Sequence, residues 1–203
     1  MEHNSERKTD KNLNSDYWDT QYKNSQTGWD MGTVSPPLKE YIDQLKDKNC
    51  SILIPGCGNT YEAEYLLEQG FTNITVIDFA PTLVDVLKEK FKGNKHIRIV
   101  LSDFFEHQGQ YDLILEQTFF CALNPELREK YCSKMHTLLT PGGKLAGLLF
   151  NKEFEKEGPP FGGSKSEYEK LFSSRFELSV LETCHNSHPK RADSELFFVF
   201  KKK

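Results

Sequence analysis

The stretch Ser51-Ile-Leu-Ile-Pro-Gly-Cys-Gly-Asn59 decides the fold. Three apolar residues, Ile52 to Ile54, read as a buried strand, and Pro55 with two glycines around Cys57 reads as a tight turn. Asn59 is expected to cap the helix that follows, with Glu62 as the reciprocal partner of a capping box. The next residues, from Tyr61, are helix formers. A strand, a glycine turn and a helix N-terminus make a cradle for a small ligand, because the backbone comes close and its free N–H groups face the guest. Cys57 in that turn reads as a small residue tolerated in a crowded place, ahead of a nucleophile.

Working outward, Asn73-Ile-Thr-Val-Ile-Asp78 reads as a second strand ending on a carboxylate. Asp78 lies about 20 residues past the glycines, where an acid in a βαβ unit binds the ribose hydroxyls. Capping a turn is the plainer role, and the spacing from Gly56 and Gly58 favours the ribose. A dinucleotide site needs a third glycine at position 61, which is Tyr here, so NAD and FAD are disfavoured. A cofactor without a pyrophosphate, such as S-adenosylmethionine, fits instead.

The alternation continues. Pro81 opens a helix with Leu83, Val84, Leu87 and Phe91 in its stripe, and His96–Leu101 reads as a third strand. It ends at Ser102-Asp103-Phe104-Phe105, where Asp103 can accept from an adenine amino group and Phe104 can cover a ring face. Tyr111–Gln117 is a fourth strand and Thr118–Leu123 an apolar wall. Asn124-Pro125 caps a helix that Thr140-Pro-Gly-Gly stops, and Lys144–Phe150 is a fifth strand. Asn151–Ser164 is a glycine- and proline-rich insertion long enough to be functional. A short helix (Glu167–Phe172) and two strands (Phe176–Cys184, Glu195–Phe200) follow, joined by a turn-like connection.

The expected fold is therefore α/β: a doubly wound, mainly parallel sheet of about seven strands, Rossmann-like, with a C-terminal antiparallel hairpin. Residues 1–15 read as a polar, disordered tail and 16–203 as one domain. Both tryptophans precede the first strand. Residues 16–48 thus read either as helices stapled to the core by aromatics or, favoured by the glycine break, as a lid closing over the cofactor. Ligands in such sheets bind beyond the carboxyl ends of the strands. Gly56–Gly58, Asp78, Asp103–Phe104 and Gln117 all fall there.

A net charge of −4 and a pI near 5.9 give no general attraction to nucleic acid or anionic membranes. No apolar run reaches a membrane span, and the N-terminus lacks a signal peptide's apolar core, so a cytoplasmic monomer is expected. Five cysteines without a C-x-x-C pair argue against a disulfide framework or a zinc site. His185 and His188 have near metal-ligand spacing without a further cluster, so no metal is expected. None of the six histidines joins a Ser/His/Asp or Cys/His arrangement, and no catalytic residue is assigned.

The chain resembles the class I S-adenosylmethionine-dependent methyltransferases. Within them it is similar to the thiopurine S-methyltransferase group, which includes halide and thiol methyltransferases. The match rests on Y-W-D-T-Q-Y at 17–22, T-G-W-D-M-G at 27–32, S-P-P-L at 35–38 and I-L-I-P-G-C-G-N at 52–59. It continues with V-I-D at 76–78, S-D-F-F at 102–105, T-F-F-C-A-L-N-P at 118–125 and G-P-P-F at 158–161. Ile54 stands where many methyltransferases carry an acid, a difference shared by this group. The resemblance implies that Trp18, Tyr22 and Trp29 enclose the cofactor, Gly56 contacts its methionine part, Asp78 its ribose, and Asp103 with Phe104 its adenine. Gln117 occupies a position where thiopurine enzymes can carry an arginine, and residues 118–122 look more like the halide/thiol members.

Methyl transfer from a sulfonium is an in-line displacement that asks mainly for alignment and dehydration. The expected activity is transfer to a small soft nucleophile: a thiol, thiocyanate, hydrosulfide or halide, with a thiopurine as a further option. The acceptor pocket is expected between Trp29, Phe119 and Phe161, small, apolar and without a charged clamp; Phe119 and Phe161 as plain core is the alternative. A non-catalytic S-adenosylmethionine-binding module, or transfer to an O or N acceptor, are the competing readings.

Overall fold

The computed structural model describes residues 13–203. The expected tail lies outside them except for its last three residues, and of these Asn14 caps α1 and Ser15 opens it. In chain order the elements are α1 (Ser15–Lys23), α2 (Pro36–Asp43), β1 (Ile52–Pro55), α3 (Tyr61–Glu68), β2 (Ile74–Asp78), α4 (Pro81–Lys90) and β3 (Ile97–Leu101). Then come β4 (Tyr111–Glu116), α5 (Arg128–Leu138), β5 (Leu139–Phe150), α6 (Lys165–Phe172), β6 (Phe176–Thr183) and β7 (Glu195–Lys202).

The sheet has seven strands in the order β3-β2-β1-β4-β5-β7-β6. The pairs from β3 to β5 are parallel, while β7 runs antiparallel to both β5 and β6. The doubly wound fold and its C-terminal hairpin are thus as the alternation of elements implies. The chain leaves β1 toward β2 on one side and reaches β4 on the other, so the order reverses between β1 and β4. Connections of opposite sense part there and open a crevice at the strand ends.

Side chains of β1 alternate between the two faces, as a strand's period of two demands. Ile52 and Ile54 pack with Leu38 and Ile42 of α2, Ala63 and Leu66 of α3, and Leu83 and Leu87 of α4. Leu53 points the other way, into a cluster with Tyr131, Met135 and Leu138 of α5 and Phe172 of α6. The last strands bring Phe198 and Phe200 to this second face.

Two local expectations give way. Thr140-Pro-Gly-Gly does not stand apart as a stop, because β5 begins at Leu139 directly after α5. The irregularity is absorbed by a register shift opposite Tyr111 and Leu113 and by a left-handed Gly142 (φ 75°). The capping box at α3 also fails: Thr60 occupies the cap with φ 52° and makes no side-chain capping bond. Asn59 instead donates to the Asp30 carboxylate, and Glu62 accepts from the Ser35 N–H at 3.1 Å. Partners brought by the N-terminal segment outcompete the local cap.

Leu66 is fully buried between α3 and the sheet. Leu66→Ala should lower the unfolding free energy by about 2–5 kcal/mol, the usual cost of such a truncation. Urea unfolding of the two proteins checks this, and a loss below about 1 kcal/mol would mean that the face repacks freely.

Candidate active site

Above the carboxyl ends of β1, β2 and β4 lies a cleft of about 1480 Å³. That exceeds a usual single-ligand pocket of roughly 300–1,000 Å³. The volume suits a cofactor and a second reactant side by side.

On one side stands the β1–α3 turn. Gly56 and Gly58 have φ of 55° and 52°, in the left-handed region that glycine tolerates. A Cβ on Gly56 would come within 2.9 Å of three Phe119 side-chain atoms, so this glycine is demanded by Phe119 as well as by its φ. The Cys57 N–H donates to the Ile77 carbonyl at 3.0 Å, tying the turn to the end of β2. Burial drives the Cys57 thiol well above its ordinary pKa, which keeps it a neutral packing group.

Asp78 closes the same side. It is 8% exposed, and its oxygens accept the Ala80 N–H at 3.0 Å and the Gly58 N–H at 3.3 Å. Burial raises its pKa and these backbone donors oppose the rise. Each oxygen keeps acceptor capacity toward the cleft. Two cleft-lining groups, Thr60 Oγ1 and Gln117 Oε1, are buried with no partner. Orphaned polar atoms beside a buried acid suit a polar guest such as a nucleoside.

The N-terminal segment forms the roof. Trp18, Tyr22 and Trp29 line the cleft, with Trp29 edge-on to Trp18 at 5.3 Å and to Tyr22 at 5.7 Å between centroids. Asp19 accepts the Thr82 N–H at 2.7 Å, Ser15 donates to the Phe79 carbonyl, and Asp30 also accepts from Tyr61 at 3.2 Å. The segment is bound to the core at both ends and in its middle.

The floor comes from the β4–α5 connection. Gln117, Thr118 and Phe119 line the cleft, and Thr118 adopts φ 58°, which a β-branched residue rarely takes. Glu116 sits behind them, fully buried, accepting the N–H groups of Phe119 and Phe120 at 2.8 Å each. Its other oxygen accepts from the Tyr131 hydroxyl. Phe104 borders the cleft but is 4% exposed, packed against Phe119 with centroids 5.1 Å apart. Asp103 is exposed at the rim, one oxygen taken by the Phe105 N–H at 2.8 Å.

Phe161 is the correction. It does not line the cleft: its N–H is held by the Cys121 carbonyl at 2.7 Å, and Pro159 and Pro160 of the same G-P-P-F loop take the lining place with Phe150 and Phe154. Nor is the wall around the expected acceptor place free of charge. Arg191, 8% exposed, lines the cleft from the turn between β6 and β7, over the Phe150 ring. Its guanidinium donates to Glu195 at 3.3 Å and to the Trp29 carbonyl at 2.8 Å. One sequence signal was available for it, an acid four residues on in Glu195. His188, near in sequence, spends its Nδ1 on the Lys190 N–H as a turn cap.

With the geometry in view, a family model described as "Thiopurine S-methyltransferase (TPMT)" matches residues 13–202. The chain is 32% identical over 159 residues to "Probable thiol methyltransferase 2" of Arabidopsis thaliana, covering 76% of this chain and 70% of that one. It is 25% identical over 192 residues to "Thiocyanate methyltransferase 1" of the same plant, covering 91% and 84%. Among solved structures, a Burkholderia thailandensis 1,6-didemethyltoxoflavin-N1-methyltransferase with bound S-adenosylhomocysteine is similar in fold. Its TM-score is 0.77, with 18% identity and 94% and 88% of the chains covered.

Burial pushes the Glu116 carboxyl up from 4.5 to about 7, outweighing its three donors. A carboxyl pKa raised on folding adds stability that is full below about 4.5 and is lost as the pH rises through about 7. The unfolding free energy of the wild type, relative to Glu116→Gln, should therefore fall between pH 5 and pH 8. Urea unfolding at both pH values measures it; a constant difference would mean that burial does not shift the group, and a rising one that its pKa is lowered instead.

Proposed function

The chain belongs to the thiopurine S-methyltransferase family, and on that premise we propose that it moves the methyl group of S-adenosylmethionine to a small, soft, anionic nucleophile: a thiolate, hydrosulfide, thiocyanate or halide. The observation that carries this reading is the pairing, across one cleft, of a buried acid at the end of β2 with an aromatic and proline wall that holds a single buried cation, Arg191.

S-Adenosylmethionine, when bound, supplies a sulfonium methyl whose C–S bond breaks, its electrons returning to sulfur, as the nucleophile's lone pair forms the new bond. Asp78 has acceptor capacity for the ribose hydroxyls, and Gly58 fixes that carboxylate by donating to it. Asp103, with one oxygen free at the rim, suits the adenine amino group, and Phe104 offers an edge to the ring. Gly56 and Gly58 give the methionine part a close backbone approach, and Gln117 offers an unpartnered oxygen. Trp18, Tyr22 and Trp29 keep water from the sulfonium and present π faces that favour a cation.

Phe119, Phe150 and Phe154 strip water from the acceptor, and a soft anion gains reactivity as it loses hydration. Arg191 offsets the cost of bringing that negative charge into an apolar wall. No histidine lines the cleft among the described residues, in keeping with a nucleophile that arrives already deprotonated. A large thiopurine is the second acceptor to test, since the cleft volume admits it. We also read the protein as a cytoplasmic monomer without a nucleic-acid partner, a reading its charge of −4 supports; among the described residues no helix is long and apolar enough to cross a membrane.

Asp78→Ala should weaken S-adenosylhomocysteine binding by about 1.5–3 kcal/mol, the range for hydrogen bonds to a charged group. Calorimetry reads this, and unchanged affinity would remove the ribose role. With labelled cofactor and a panel of thiocyanate, iodide, hydrosulfide, a small thiol, a thiopurine, a phenol and an amine, the soft anions should turn over fastest. Cofactor binding without transfer to any of them would make the protein a binding module, and preference for the phenol or amine would move the chemistry to O or N.

A further inference from the structure

We propose that Glu116 is a positioning residue: its buried carboxyl group holds the turn Gln117–Phe120 in the shape that presents Phe119 to the acceptor side of the cleft. Glu116 does not line the cleft. Its Oε1 gathers two successive backbone donors, Phe119 N–H and Phe120 N–H, both at 2.8 Å, while Oε2 takes the Tyr131 hydroxyl from α5. Between strand and clamp lies Thr118 at φ 58°. A β-branched residue in that region is strained and persists only where its surroundings over-determine it. The two N–H bonds supply that determination, because they close the chain back on the end of β4 within four residues.

The turn is tightly referenced on both sides. Phe119 packs against the place a Gly56 side chain would fill, and a Cβ on Gly147 of β5 would run into the Glu116 backbone and side chain. Downstream, Cys121 holds the Phe161 N–H, so the same turn also seats the G-P-P-F loop that supplies Pro159 and Pro160 to the cleft. A small displacement of residues 118–120 would therefore shift the Phe119 ring and the loop together. The acceptor part of the inference rests on the function proposed above; the clamp itself does not.

Two variants separate positioning from bulk packing. Glu116→Gln keeps an oxygen for both N–H groups and can offer its amide to Tyr131, so kcat/KM for the best acceptor of the panel should stay within about threefold. Glu116→Leu keeps the volume but accepts nothing. Its kcat/KM for that acceptor should drop by about tenfold or more while the S-adenosylhomocysteine Kd moves less than about threefold. Adding Thr118→Gly, which relieves the φ constraint, should recover part of the loss. A folded leucine variant with unchanged acceptor kinetics overturns the assignment. If that variant does not fold, amide exchange in Glu116→Gln decides: slow Phe119 and Phe120 amides support the clamp, and amides exchanging like the open loop overturn it. A wild type that methylates no panel member would refute the acceptor chemistry, yet the exchange measurement would still report on the clamp.

Discussion

The structure depends on β1 having a parallel partner on each side, β2 and β4, with helices packed over both faces. A strand so enclosed has no water for its polar groups, so they must be met by neighbours up to its last residue. At the carboxyl end that demand continues into the turn. Cys57 N–H reaches the Ile77 carbonyl and Gly58 N–H reaches Asp78. The reversal of strand order then leaves a gap where no neighbour can follow, and the polar groups bordering that gap become the lining of the cleft. Site and core come from one constraint.

The site also costs stability. Asp78 and Glu116 are both buried acids whose pKa values burial raises, and Thr60 and Thr118 both sit at positive φ without being glycine. A chain optimised for folding alone would put apolar side chains and glycine at these positions. Here all four border the cleft or support its lining, which is where local conflict with folding rules is expected.

Most of the sheet was legible in the residues because enclosed parallel strands are continuous apolar runs. Ile52–Ile54 and Ile74–Ile77 could hardly be anything else. The left-handed turn at Gly56 and Gly58 and the acid at Asp78 were legible too, since each answers a local backbone need at a fixed spacing. The cap at Asn59 was misread because a capping box is judged from four residues, whereas Asp30 and Ser35 arrive from far upstream. Phe161 was misread for a related reason. A motif such as G-P-P-F marks a loop, but not which of its residues meet the cleft, and here they are Pro159 and Pro160. Arg191 carried little local signal, as an arginine in a polar turn normally faces water; its burial comes from Trp29, Phe150 and Glu195 closing around it.

The hydrogen bond from Arg191 to the Trp29 carbonyl spans 162 positions of the chain. Its two partners are made far apart in time as the ribosome works from one end to the other. Trp29 precedes β1 in the chain, and Arg191 lies between β6 and β7. Until Arg191 has been added and has folded into place, the roof lacks this one bond to the opposite wall of the cleft. The nascent chain thus carries the roof long before the residue that ties it to the opposite wall of the cleft.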